Sequence, residues 1–162
     1  MAAVDYYLKI KGIDGEATAK GHEKEIELHS FSWGETNTGS HAAGGGGGAG
    51  KVVMQDFHFT MSVCAASPKL FLACASGEHI PEALLTCRKA GKDQQEFLKW
   101  KFTDLLISSY QTGGSGHGDI VPTDQISFNF TKCEVEYKPQ KPDGTLGGAI
   151  PAGWDQKKGT KV

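Results

Sequence analysis

A chain of 162 residues with 38% hydrophobic and 22% charged side chains is long enough to bury a real core in one domain, and too apolar for a disordered polymer. Its 17 basic residues face 19 acidic ones and include a single arginine, Arg88, which argues against the bidentate phosphate and base-edge contacts of nucleic-acid binding. No stretch approaches the roughly 18 consecutive apolar residues of a membrane-spanning helix, so no membrane insertion is expected. Met1 to Tyr7 has neither the basic start nor the apolar core of a secretory signal, so the expected site of synthesis is the cytoplasm, with any export independent of such signals.

Tyr6, Leu8 and Ile10 alternate with Tyr7, Lys9 and Lys11, the period of a half-buried strand, and Asp14-Gly15 supplies turn chemistry after it. A polar connection carrying His22, Glu23, Lys24 and Glu25 leads to a second strand marked by Ile26, Leu28, Phe31 and Trp33. Its change of parity between Leu28 and Phe31 predicts a bulge. Ser30 and Ser32 share the face opposite Phe31 and Trp33.

The run Gly44-Gly45-Gly46-Gly47-Gly48-Ala49-Gly50-Lys51 comes next and approaches a phosphate-binding loop, with Gly45, Gly50 and Lys51 at matching spacing. Val52 stands where that loop needs a Ser or Thr hydroxyl for magnesium. The run is also followed by alternation from Val52 to Met61 rather than by a helix. The expected role is a connection between strands, and a nucleotide-binding or hydrolytic enzyme using Gly45 to Lys51 is the alternative. In the next strand Phe57, Phe59, Met61 and Val63 lie on one face, with Asp56, His58 and Thr60 on the other.

One helix is predicted, over about residues 68–76. Ser67 is placed as N-cap, Pro68 at the first helical position, Leu70, Phe71 and Cys74 on one face, and Gly77 as the left-handed stop. Three more strands are predicted at Glu82–Lys89, Glu96–Tyr110 and Ile126–Tyr137, the last with a bulge between Phe130 and Cys133. The Gly- and Pro-rich tail from Pro139 onwards is expected to be mostly irregular with one final short strand. The expected fold is a mainly β, compact β-barrel of two sheets with one short accessory helix, a single domain over residues 1–162.

No catalytic constellation stands out, so no enzyme is predicted. Cys64, Cys74, Cys87 and Cys133 form no Cys-x-x-Cys pair and read as reduced, with no metal site or cofactor expected. His58 with Asp56 on one strand face is a candidate oriented base, and a polar outer face is the expected reading of the pair. Asn129-Phe130-Thr131 matches a glycosylation acceptor but falls in mid-strand.

Several segments nevertheless follow one another in a recognisable order. They are Ser32-Trp33-Gly34, Gly44 to Val52, Gln55-Asp56-Phe57, Ser67-Pro68-Lys69-Leu70, Ala73 to His79, Arg88-Lys89-Ala90-Gly91, Ser108-Ser109, Thr112 to Gly116 and Val135 to Gln140. In that order, from Val4 to Trp154, they resemble Hcp, the haemolysin-coregulated protein family of bacterial type VI secretion. Ala17 and Phe31 depart from it, standing where serine and tryptophan are expected.

The resemblance implies a hexameric ring, rings stacked into an inner tube within sheath proteins, a VgrG spike at the tip, and small effector proteins in the lumen. It also implies residence in the bacterial cytoplasm before firing and then secretion without a signal peptide. On this reading Gly44, Gly45, Gly46, Gly47, Gly48 and Lys51 are expected in a ring-stacking loop. Ser32 and Ser115 are the expected lumen and effector contacts.

Overall fold

The structure is a computed structural model that describes residues 4–39, 50–90, 93–118 and 121–162. Among the described residues eleven strands and one helix are arranged in the order β1 (Val4–Ile10), β2 (Ile26–Leu28), β3 (Ser30–Ser32), β4 (Glu35–Asn37), β5 (Val52–Met54), β6 (Phe57–Ser62), α1 (Ser67–Ser76), β7 (His79–Lys89), β8 (Glu96–Gly113), β9 (Thr123–Tyr137), β10 (Ile150–Asp155) and β11 (Thr160–Lys161). Nine strands form one sheet whose main path is β11-β10-β9-β8-β7-β1-β2. β6 pairs with both β9 and β3, and β4 with β5 makes a separate two-stranded sheet.

The fold is mainly β with two sheets and one helix, but the large sheet is not closed into a barrel by a continuous ladder. The break falls at His29. Leu28 pairs with Tyr6 of β1, whereas Ser30 pairs with Thr60 of β6, so consecutive short strands turn to opposite neighbours. The parity change read between Leu28 and Phe31 is this bend, where the His29 amide donates to the Thr60 carbonyl at 2.9 Å. The second predicted parity change, between Phe130 and Cys133, marks a change of partner. β9 pairs with β6 up to Phe128 and with β10 from Lys132, and Asp104 opposite takes a positive φ of 57°. The β8–β9 register slips only between Ile107 and Ser109.

Inside the curled sheet the aromatic positions meet. Phe57 has no exposed surface and lies 4.9 Å from both Phe102 and Phe128, centroid to centroid, with Phe31 at 5.8 Å. Trp33 closes one end, edge-on to Trp100 at 5.0 Å and to Phe130 at 5.8 Å. Full burial of Phe57, Phe59, Phe102 and Phe128 and of Leu8, Ile10, Ile26, Met61, Leu85 and Leu105 supplies the main driving force for folding.

The helix differs from its sequence reading at its start and on its face. Ala66, not Ser67, is the N-cap, and Ser67 is inside the helix with its hydroxyl donated to Asp124. Gly77 is the left-handed stop at φ 69°. Leu70 and Ala73 are buried, while Phe71 is 59% exposed and packs only edge-on to Tyr110 at 6.0 Å. The tail is also more regular than expected: β10 pairs along β9 from Ile150↔Tyr137 to Asp155↔Lys132, and β11 returns against it.

Candidate functional site

β8 and β9 run through both halves of the large sheet, and their outward positions change chemistry on the way. Near the start of β8, Lys99 lies opposite Glu136 and Lys101 opposite Glu134. Lys101 also approaches Glu82 at 3.9 Å, and Lys138 approaches Glu136 at 3.8 Å. Past the register slip the outward groups carry almost no charge. Ser30, Ser32, His58, Thr60, Ser109, Gln111 and Gln125 surround one hollow of about 410 Å³. Ser30 and Thr60 hydroxyls bond at 2.7 Å across β3 and β6, and Ser108 bonds Ser127 at 2.8 Å across β8 and β9. The alternation of each strand buries its aromatic side and leaves these small polar groups facing out.

Ser32 belongs to this neutral wall. Ser115 does not line the same hollow; it lies in the turn after β8, exposed, its hydroxyl accepting from the His117 amide at 3.3 Å. The structure therefore does not bring the two serines together in one site.

The β4–β5 hairpin stands apart from the large sheet. Its register is Glu35↔Met54 to Asn37↔Val52, and its base is tied by the Gln55 amide donating to the Gly34 carbonyl at 2.8 Å. Asn37 pins the far end: its side-chain amide donates to the Gly50 carbonyl at 2.9 Å, and its side-chain oxygen accepts from the Gly39 amide at 3.0 Å. Gly50 is required there by close approach, because a Cβ would meet the Gly39 nitrogen at 2.7 Å. Gly44 to Gly48 lie outside the described residues. Lys51 is exposed on the hairpin and borders a cleft of about 780 Å³ with Glu35, Trp154 and Gln156.

The phosphate-loop alternative finds no support in this setting. Strand β5 begins directly after Lys51, so no helix N-terminus opens beside Gly50 to receive phosphates. The His58–Asp56 pair does not form the oriented base either, since Asp56 accepts instead from Ser108 at 2.6 Å. Among the described residues no group of three or more His, Cys, Asp or Glu is placed to hold a metal ion. The single arginine is internal: Arg88 is 5% exposed, sits 4.9 Å above the Tyr7 ring, and donates to the Tyr7 hydroxyl at 3.1 Å. All four cysteines are free, and burial pushes the Cys87 thiol up to about 11 and the Cys133 thiol to about 12.

Two buried polar clusters are not legible from spacing. Asp124, fully buried, accepts from Ser67 at 2.7 Å and from Tyr110 at 3.1 Å on one carboxylate oxygen, while the other has no partner among the described residues. Desolvation, reinforced by the hydrogen bond to Asp124, raises the Tyr110 hydroxyl above its ordinary value. His22, which by sequence belongs to a polar connection, is 5% exposed and contacts two carboxylates. The only available signal is that His22 and Tyr7 both sit near apolar strand residues, which does not distinguish a buried histidine from an exposed one.

A curled β structure with one charged and one neutral outer face, and a hairpin projecting beside them, defines the class of molecule: a β protein built around surfaces. The family described as "Type VI secretion system effector, Hcp" matches residues 7–137. Protein hcp1 of Pseudomonas aeruginosa is 44% identical over 155 residues, covering 94% of this chain and 95% of that protein. Among solved structures, Hcp1 from Salmonella typhimurium superposes with a TM-score of 0.82 at 36% identity, covering 99% of this chain and all of that one. A further one, a type six secretion system protein, reaches a TM-score of 0.93 at 34% identity, covering 99% of this chain and all of that one. The chain belongs to the Hcp family of type VI secretion proteins.

Proposed function

We propose that this chain is the structural subunit of a type VI secretion tube: six copies close into a ring, rings stack, and the lumen carries small effector proteins. The observation that supports this best is the separation of outward chemistry along β8 and β9. A wall of hydroxyls and amides around Ser32 offers many weak, exchangeable hydrogen bonds and little fixed charge, as suits a surface that must hold cargo and release it. The opposite half, with Lys99, Lys101, Glu134 and Glu136, can select neighbours by charge. Ser115 lies on the rim of the lumen in this reading.

The projecting hairpin is the stacking element. In this reading Lys51 and the run Gly44 to Gly48 supply the contacts to the next ring. Sheath proteins surround the stack, a VgrG spike caps it, and neither nucleic acid nor membrane insertion is involved. The subunit resides in the bacterial cytoplasm until firing and leaves with the tube. A closed ring requires heterologous contacts, so its two interfaces on each copy differ. Negative-stain microscopy with sizing chromatography tests the reading directly: annular particles of ring mass are expected, and a strictly monomeric protein at high concentration would refute it.

A further inference from the structure

The connection between β1 and β2 folds into a strap with its own hydrogen bonds. The Gly15 amide donates to the Lys24 carbonyl at 2.7 Å, the Lys24 amide to the Ala17 carbonyl at 2.9 Å, and the Ala17 amide to the Glu25 carbonyl at 3.0 Å. His22 ties this strap to the large sheet. Its Nδ1 lies 2.9 Å from Glu25 Oε2 within the strap, and its Nε2 lies 2.7 Å from Glu96 Oε1 at the start of β8. The ring stacks on Tyr7 of β1 at 4.6 Å and 8°.

A neutral imidazole has one N–H and one lone pair, so it cannot donate to carboxylates at both nitrogens. We propose that His22 is a proton-operated latch, its imidazolium shared between Glu25 and Glu96 and fastening the strap to β8. Loss of the proton turns one nitrogen's lone pair toward a carboxylate oxygen in a desolvated site, where like partners repel strongly. One of the two ties is then lost, to Glu25 within the strap or to Glu96, 74 positions away in the chain.

The surrounding charges fit an ionised Glu96. From β7, Arg88 lies above Tyr7; from β8, Lys99 approaches Glu96 at 3.4 Å. Burial pushes the Glu96 carboxyl up, but its hydrogen bonds from His22 and Lys99 and their charges outweigh this and hold it below its ordinary value. Glu23 and Lys20 of the strap also act on this surface. Desolvation raises the Tyr7 hydroxyl despite the Arg88 charge, so Tyr7 stays neutral beside the latch.

The latch is fastened while both His22 nitrogens carry protons and is released as the ring loses one, so release needs a rise in pH. Protection is complete while His22 is protonated in both states. It falls as pH rises, until the latched form has also given up its proton. Nitrogen-15 NMR of the histidine rings and hydrogen exchange on the intact protein read both ends of the claim.

At a pH of about 6, both His22 nitrogens should carry protons and the Gly15, Ala17 and Lys24 amides should be protected. By a pH of about 9, their protection factors should fall by at least about tenfold while amides of the β7–β8 ladder keep theirs. A neutral His22 ring at the lower pH, or strap protection that does not change as the ring deprotonates, overturns the proposal. Glu96→Gln keeps an acceptor without its charge and should move the release to lower pH. An unchanged release point in that variant overturns the proposal as well.

Discussion

Ser67 and Asp124, 57 residues apart in sequence, are joined by a 2.7 Å hydrogen bond from the serine hydroxyl to a carboxylate with no exposed surface. The same hydroxyl accepts from the Cys64 amide at 3.0 Å, so one atom fixes the start of α1 against β9. Ser67→Ala removes a donor from a buried carboxylate and an acceptor from a part-buried amide. It should cost about 1–3 kcal/mol, read as a lower urea midpoint at unchanged slope. A variant within about 0.5 kcal/mol of the parent would show that the carboxylate does not depend on this bond.

Phe57 is the centre of the aromatic core, between Phe102 and Phe128 at 4.9 Å from each. Phe57→Ala should destabilise the protein by about 3–5 kcal/mol, because the rings around the lost side chain belong to paired strands that relax little. Phe71→Ala, on the exposed face of α1, should change the isolated subunit by less than about 1 kcal/mol. Equilibrium denaturation of the two variants side by side checks the contrast.

The buried thiols make stability fall in alkali. Cys87 and Cys133 have an ordinary value of 9.0 and are raised by burial to about 11 and about 12 in the folded chain. The unfolded chain therefore loses these protons first as pH rises above 9.0. Stability from each thiol is intact below that value and is lost progressively up to the folded value, at about 1.4 kcal/mol per pH unit. Cys133→Ala should lower stability near neutral pH yet flatten the alkaline decline by about that slope. Urea titrations at several alkaline pH values measure it.

The proposed tube surfaces separate by phenotype. Replacing Gly44 to Gly48 with bulkier residues, or Lys51→Glu, should leave folding and ring closure intact and weaken ring stacking, seen as single rings where the parent forms stacks. Ser32→Trp should leave ring formation intact and reduce effector co-purification, since a large ring fills the neutral hollow beside Thr60 and Gln111. Failure of the Lys51 variant to form rings would assign the hairpin to contacts within a ring instead.

The elements with strong local signals are legible in the sequence: the alternation of Phe57, Phe59 and Met61, the helix ending at Gly77, and both parity changes, one between the short strands β2 and β3 and one within β9. What the parity changes mean is not. A bend, a bulge and a change of partner all produce the same shift in pattern, and only the pairing of His29 and Thr131 neighbours tells them apart. One short strand is expected in the tail, but the β10–β11 pair is not, because Pro151 and Gly153 are poor strand residues; β10 is laddered on β9 and β11 on β10. Ser67 carries an N-cap signal, but its hydroxyl is claimed by Asp124, a tertiary contact that local propensity does not contain. Ser32 falls on its strand face by alternation alone. The burial of His22 escapes the sequence because its carboxylate partner Glu96 lies in another strand.

β8 and β9 share one ladder from Leu98↔Tyr137 to Gly113↔Thr123, and the charged and neutral faces are laid out along it. Pulling or pushing along that axis loads the hydrogen bonds between the two strands in shear, so they resist together rather than unzipping one at a time. The strand pair is thus a stiff beam spanning the large sheet. A deletion or insertion of one residue in either strand would not only shift a loop: it would turn one face inward while the bulge at Ile107 held the other in place. The two surfaces are mechanically one part, and neither can be re-registered without the other.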